Sequence, residues 1–309
     1  MLADTSVAEP VMLDVDPLVQ LFLSISLAFI MFAVATGLKP GDFKFVRENP
    51  LSVMVGFFAQ IIALPLATLA LVKTLSISPA LALGMIIVSC CPGGSMSNLI
   101  TKIAGGDTAY SVSLTMLSSI FSAAFLPFSI LFWVGMHAPS DTLIEQVNID
   151  RAGFIVRTCL ILVIPLIIGL SLASKKPNLA TKLHRRSMPA SLAILIILII
   201  SGLITNYGVL IAYGAVMVPL VILHNSAAFL VGALFGYTFI KDRKKSRALV
   251  FEVGIQNAGL GLIIVLAELG GYGEAVILVG MWGIWHLIGG FILANTFRFI
   301  DWRKKQLSV

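Results

Sequence analysis

Ser89-Cys-Cys-Pro-Gly-Gly-Ser-Met-Ser-Asn98 lies inside an apolar run from about Ser78 to Ile103. That run is long enough to cross a bilayer, which takes roughly 20 residues of helix. Pro92 has no backbone donor and clashes with the turn before it. Gly93 and Gly94 hold a helix poorly. The spacing therefore predicts a span that breaks in its middle. In hydrocarbon a stranded N–H or C=O costs several kcal/mol, so a break is tolerated only inside protein or beside a watery cavity. Ser95, Ser97 and Asn98 set side-chain oxygens next to it. A second apolar span, about 248–269, carries Glu252-Val-Gly-Ile-Gln-Asn-Ala-Gly259 near its start, with glycines, amides and a carboxylate.

The rest of the chain agrees with a membrane setting. Of 309 residues, 58% are hydrophobic and 12% charged, against about 25% charged in soluble domains. Apolar spans are expected at about 18–38, 51–72, 78–103, 108–136, 152–174, 188–206, 208–238, 248–269 and 274–297, nine in all. Residues 1–17 read as an acidic extracytoplasmic tail without the basic start or cleavage site of a leader. With the N-terminus outside, eighteen of the twenty-one Lys and Arg fall on cytoplasmic segments, the bias expected of inner-facing loops. The chain then ends in a cytoplasmic tail, 298–309. These basic clusters anchor the protein at the cytoplasmic face and need no nucleic acid to explain them. The expected home is a bacterial inner membrane. Cys90, Cys91 and Cys159 read as small buried residues, not as a metal or redox set.

The two broken spans are the third and the eighth, each the middle of a triple, and they run in opposite directions. This is the pattern of an inverted-repeat secondary transporter. Glu252 is the one carboxylate placed well inside a span, and an intramembrane charge costs roughly 2.5–3.5 kcal/mol on insertion scales. No span centre offers Lys or Arg. Its compensating charge must come from solution, as a cation or a proton. Carboxylate, amide, hydroxyl and free carbonyl oxygens suit a hard cation, and with one carboxylate Na⁺ fits better than Ca²⁺ or Mg²⁺. Ser111 and Thr115 are four residues apart on one helix face and could complete such a site. A Ser/Thr pair serves helix–helix hydrogen bonding equally well, as does Gln60 in the second span. His137, His184, His224 and His286 do not form a ligand set by spacing. No nucleophile–base arrangement, P-loop or paired carboxylates appear, so an enzyme is not expected.

Several stretches resemble the bile acid:sodium symporter family. They are Cys90-Cys-Pro-Gly-Gly-Ser-Met-Ser-Asn98, Gly106-Asp-Thr-Ala-Tyr-Ser-Val-Ser-Leu-Thr115 and Glu252-Val-Gly-Ile-Gln-Asn257, with Ala59-Gln60, Leu64-Pro65 and Leu223-His224-Asn225. The resemblance implies an all-α transporter within residues 18–297, in the nine-span form with the N-terminus outside. Its core domain would hold two crossing broken helices (spans about 51–136 and 208–297), beside a panel domain (about 18–38 and 152–206). It implies two sodium sites. Ser97, Asn98, Ser111, Thr115 and Glu252 would form one. Gln60, Glu252, Gln256 and the carbonyls of Val253 and Ile255 would form the other. Substrate contact would fall to Ser95, Asn257 and His286. Ser95 stands where threonine is common, and Leu287 where some members carry asparagine.

The expected activity is sodium-coupled import of a small organic anion by alternating access, with two Na⁺ per anion and no cofactor beyond the coupling ion. The anion is bile-acid-like, a pantoate-like acid or a 2-keto acid. No obligate protein partner is read from the chain. Two alternatives stay open at this point: a proton-coupled carrier, and a non-transporting sensor or scaffold of the same fold.

Overall fold

A computed structural model describes residues 16–38, 40–146, 150–205, 207–269 and 272–307. Of the expected N-terminal tail only Asp16 and Pro17 are described; Lys39, Asn206 and the last two residues also lie outside. Helix α1 (Pro17–Thr36) starts where the Asp16 carboxylate accepts the Leu18 N–H at 2.7 Å, with Pro17 at the first helical position. An acceptor there satisfies an orphan donor, and proline loses nothing there.

The second span is not one regular helix. After the short α2 (Pro40–Glu48) come α3 (Pro50–Phe58), a π-helical segment (Ala59–Ala63) and α4 (Leu64–Thr74). The Leu64 N–H reaches back five residues to the Ala59 carbonyl, one position before Pro65, which has no N–H to give. Such π turns often mark functional positions, and this one contains Gln60. Sequence periodicity did not reveal it.

The predicted break is present. Helix α5 (Pro79–Cys90) stops before Pro92, and α6 (Met96–Ile103) resumes after the glycines. Next come α7 (Thr108–Gly135), α8 (Ala138–Gln146), α9 (Arg151–Lys175), α10 (Pro177–Thr205) and α11 (Tyr207–Phe239). The eighth stretch is also divided, into α12 (Arg243–Gly254) and α13 (Ala258–Glu268), and α14 (Gly273–Gln306) closes the chain. Two segments between the expected spans, 40–48 and 138–146, are therefore helical. So is most of the expected C-terminal tail: α14 runs on to Gln306, with Arg303, Lys304 and Lys305 in its last turn, where cations favour the helix dipole.

Among the described residues, seven helical stretches are long and apolar enough to cross a membrane. They are α1, Pro50–Thr74, α7, α9, α10, α11 and α14. The chain is an integral, multi-pass membrane protein. The halves of the divided stretches hold 8 to 12 residues. At 1.5 Å per residue that is at most about 18 Å, short of a hydrocarbon core of about 30 Å.

Burial sorts the two kinds of helix. Every residue of α5 from Ala80 to Cys90 is buried. By contrast α9 presents Val156, Leu160, Ile164, Ile167 and Ile168 at its surface, the apolar face that lipid requires. Broken backbone sits in the middle because only protein can satisfy it there. Helices α11 and α12 approach closely. A Cβ on Gly232 would stand 2.7 Å from the Leu249 carbonyl, and one on Gly236 would stand 2.9 Å from the Ser246 carbonyl. The small residues let the backbones touch and so fix the height at which α12 presents Glu252.

Candidate functional site

The two breaks meet. The Gly94 N–H donates to the Ile255 carbonyl at 2.9 Å, and the Asn257 N–H donates to the Pro92 carbonyl at 2.8 Å. Gly93 and Gln256 pair as a single antiparallel bridge. The Gly93 N–H has the Ser118 hydroxyl at 3.3 Å. Each break thus supplies the partners that the other strands. At the end of α12 the Gly254 carbonyl accepts from Asn225 Nδ2 at 2.7 Å and the Val253 carbonyl from Gln256 Nε2 at 2.7 Å. The fit is close: a Cβ on Gly93 would collide with the Glu252 carboxylate, and one on Gly94 would lie 3.1 Å from the Gln256 carbonyl.

Glu252 is completely buried at this crossing. Three hydroxyls donate to its carboxylate: Ser97 at 2.6 Å and Ser111 at 2.9 Å to Oε2, and Thr115 at 2.5 Å to Oε1. Asn98 Oδ1 lies 3.4 Å from the Thr115 hydroxyl. Residues from α6, α7 and α12 thereby form one oxygen cluster. On the other side of the crossing Gln60 Nε2 donates to Gln256 Oε1 at 3.2 Å, while Gln60 Oε1 is buried with no partner among the described residues. The Ile255 and Val253 carbonyls are engaged by Gly94 and Gln256, as above. All nine residues singled out for cation binding adjoin the crossing.

The oxygens are hard donors in two groups. Among the described residues, no group of three His, Cys, Asp or Glu is placed to hold a metal, so the site is unlike a transition-metal centre. A monovalent cation would find hydroxyl and carboxylate oxygens around Glu252 and an unused amide oxygen at Gln60.

A cavity of about 90 Å³ abuts the crossing, lined by Ser95, Asn257 and His286 from the expected substrate set and by Ile30, Met188 and Leu195 from α1 and α10. A wider vestibule of about 470 Å³ shares Ser95, Met96 and Met188 with it and reaches Gly37, Leu38 and His184. At the opposite end α13 is tied to α1 and α9. Gln20 Nε2 donates to the Ala267 carbonyl at 2.5 Å, and Arg157 pairs with the buried Glu268 at 3.3 Å. Arg157 thus ties α9 to α13.

Other contacts escaped the sequence reading. His224 and His286, far apart in the chain, flank Trp282: ring centroids are 6.1 Å and 4.8 Å away. Ser118 could have been found as the next residue on the Ser111–Thr115 face, and Asn225 as a polar residue in an apolar helix. Their roles at the breaks needed the packing.

With this geometry in view, comparison with known proteins is decisive. The profile of the sodium bile acid symporter family matches residues 24–213. The chain belongs to that family. Over 286 residues it is 29% identical to the uncharacterized sodium-dependent transporter YocS of Bacillus subtilis, covering 92% of this chain and 84% of that protein. The human ileal sodium/bile acid cotransporter is 28% identical over 247 residues, 79% of this chain and 68% of its own. The human P3 protein is 31% identical over 232 residues, and the match spans only 46% of its length. The family is one of sodium-dependent transmembrane transporters. The profile stops before Glu252, so the residues of the second break must be argued from geometry.

Proposed function

We propose that this protein is a sodium-coupled symporter that imports a small organic anion by alternating access, with two Na⁺ per anion. One observation carries the reading: Glu252 is fully buried, receives three hydroxyl hydrogen bonds, and sits among oxygens with no cationic side chain bonded to it among the described residues. A buried charge without a partner is costly. The hydroxyl and carboxylate oxygens keep lone pairs for a cation, which supplies the missing charge. Ser97, Asn98, Ser111, Thr115 and Glu252 hold the first Na⁺. Gln60, Glu252, Gln256 and the carbonyls of Val253 and Ile255 hold the second, exchanging the Gln256–Val253 hydrogen bond for coordination. The orphaned Gln60 Oε1 supports this second site.

Two Na⁺ against one Glu252 leave one positive charge, which the anion cancels. Counting each divided pair as one interrupted span gives nine spans in two inverted halves. The core carries the crossing, and α1, α9 and α10 form the panel. The cytoplasmic side is the one rich in Lys and Arg, with the N-terminus outside, in a bacterial inner membrane. On this orientation the vestibule opens inward and the Arg157–Glu268 tie closes the outer side. Binding at the crossing and rocking of core against panel would then expose the site alternately.

The test is the unfolding temperature of the purified protein in Na⁺, K⁺ and choline over a pH series, then uptake in liposomes. A rise specific to Na⁺, followed by sodium-driven inward current with an accepted anion, is expected. A rise on acidification with no sodium response would instead favour the proton-coupled reading. No response to either would leave a non-transporting scaffold.

A further inference from the structure

The cations at the cytoplasmic side of the proposed orientation are not all balanced alike. Lys175 and Lys176 close α9, and Lys182, Arg185 and Arg186 follow within the first turns of α10. All five are exposed, and among the described residues none forms an ion pair. Residues 151–241 contain no Asp or Glu, so their neighbours in sequence offer no counter-charge. The basic segments of α2, α12 and α14 differ. There Lys44 lies 3.7 Å from Glu48, and Arg243 and Arg247 share Asp301. The faces of the helices show where the unbalanced cations point. Residues three, four or seven apart share a helix face. Lys182, Arg186, Ala193, Ile197, Ile200 and Ile204 lie on one such line of α10, and all are exposed. The vestibule takes the other side of the helix, through His184, Met188 and Leu192. Neither cavity at the crossing is lined by Lys or Arg. On α9 the exposed line Leu160, Ile164 and Ile168 ends at Lys175.

At 1.5 Å per residue Arg186 stands about 27 Å from Ile204, close to the thickness of a hydrocarbon core, about 30 Å. The basic turns therefore sit at headgroup level, on the faces that lipid covers, with apolar surface directly beneath them. We propose that the α9–α10 turn is a binding site for an anionic phospholipid of the cytoplasmic leaflet, its phosphate held by Lys182, Arg185 and Arg186 with Lys175 beside them, and its acyl chains lying along Ile197, Ile200 and Ile204. A guanidinium meets a phosphate through two parallel N–H bonds, and Lys and Arg clustered at a cytoplasmic helix end attract anionic headgroups. A soluble acidic partner would have to reach cations that point sideways into the membrane, where a lipid already lies. The site goes beyond the symporter reading and uses only its orientation. It gives α9 and α10 a lipid anchor of a kind that Arg243 and Arg247, balanced by Asp301, do not provide for the core.

The experiment follows the unfolding temperature of the purified chain in detergent as phosphatidylglycerol, phosphatidylcholine or soluble glycerol phosphate is added, at low and high choline chloride. Phosphatidylglycerol should give a saturable rise at a concentration at least about tenfold below that of phosphatidylcholine, and the difference should shrink as salt screens the charges. Replacing Lys182, Arg185 and Arg186 together by Gln should raise the half-saturating concentration of phosphatidylglycerol at least about tenfold. Lys175→Gln with Lys176→Gln should raise it in smaller measure. Removing the same charge from the core, as Lys102→Gln, Lys241→Gln and Lys244→Gln, should change it less than about twofold, because distant exposed charges are screened. Without lipid each variant should melt like wild type, since all the replaced side chains are exposed. Equal effects of the two lipids overturn the proposal. So do equal losses from the two triple variants, which would show a response to net charge alone. A full rise with glycerol phosphate overturns the lipid as the occupant. Sodium-induced stabilisation, read in the same melts, reports on the crossing separately, so failure of the lipid site leaves the symporter reading standing and failure of the sodium response leaves the lipid site standing.

Discussion

Arg247 and Glu252 stand five residues apart on α12, and both are buried, at 4% and 0% exposure. They are neutralised in opposite ways. The Arg247 guanidinium pairs with Asp301 of α14 through both terminal nitrogens, one at 2.6 Å, and donates to the Ala104 carbonyl at 3.1 Å. It also lies over the Phe297 ring at 5.0 Å. Its charge is balanced inside the fold. Glu252 has hydroxyls instead of a cation. A charge balanced by its own chain holds helices together; a charge left for solution to balance is, on the proposed reading, where a cation binds. Both are carried by α12, so the difference lies in their neighbours and not in the helix that carries them.

The sharpest way to break this comparison is Glu252→Gln. The amide keeps the shape and removes the charge. Sodium-dependent uptake should fall at least a hundredfold, and the sodium-induced rise in unfolding temperature should vanish. In wild type that rise corresponds to about 2.7 kcal/mol at a hundredfold excess over Kd. Without sodium the variant should melt no lower than wild type, because an unpaired buried charge has gone. A variant that still responds to sodium would move the site elsewhere.

Asp301→Asn should do the reverse. It leaves Arg247 buried and short of its partner, a loss of about 1–3 kcal/mol after discounting for the 40% exposure of the Asp301 side chain. The unfolding temperature should drop while the apparent sodium affinity stays within about twofold. The pair also predicts a pH dependence. The hydrogen bond from Arg247, with the positive charges around it, holds the Asp301 carboxyl below the usual aspartate range. Such a depressed group stabilises the fold fully above its unfolded value, about pH 3.9. That contribution fades as pH falls through the lower folded value. Acidification below about pH 4 should therefore cost wild type more than Asp301→Asn, read as the gap between their melting curves.

The smallest effect sharpens the comparison. Ser111→Ala removes one of three hydroxyls from Glu252 but leaves Ser97 and Thr115. The sodium concentration for half-maximal stabilisation should rise about tenfold, consistent with about 1.5 kcal/mol for a bond to a charged group. Saturating sodium should restore the full shift. If Ser111→Ala instead lowers the unfolding temperature equally with and without sodium, the hydroxyl is structural.

Much of the fold was legible early because its signals are local. The Pro92-Gly93-Gly94 break, the Gly254–Asn257 break and the long apolar runs announce themselves by backbone chemistry and hydropathy. The helices at 40–48 and 138–146 were not foreseen because their polarity sets them outside the apolar spans. The π turn at Gln60 leaves no mark in periodicity, since one extra backbone atom set shifts the register by less than the apolar run can reveal. Among site residues, Glu252 was conspicuous as a charge in an apolar span. Ser118 and Asn225 were not, because a lone serine or asparagine in a helix has several uses, and only the broken backbone facing it selects one.

The sequence by itself determined that this is a polytopic membrane protein with two interrupted spans and one carboxylate that its spans cannot neutralise. Those facts follow from residue chemistry within windows of about 20 residues. Only the tertiary structure decided that the two breaks satisfy each other, that Ser97, Ser111 and Thr115 all turn to Glu252, and that Arg247 is matched by Asp301. Each of those joins groups far apart in the chain, as with Ser111 and Glu252, 141 residues apart. Hydropathy selects what enters the membrane, but the pairing of polar groups there is set by which helices pack together.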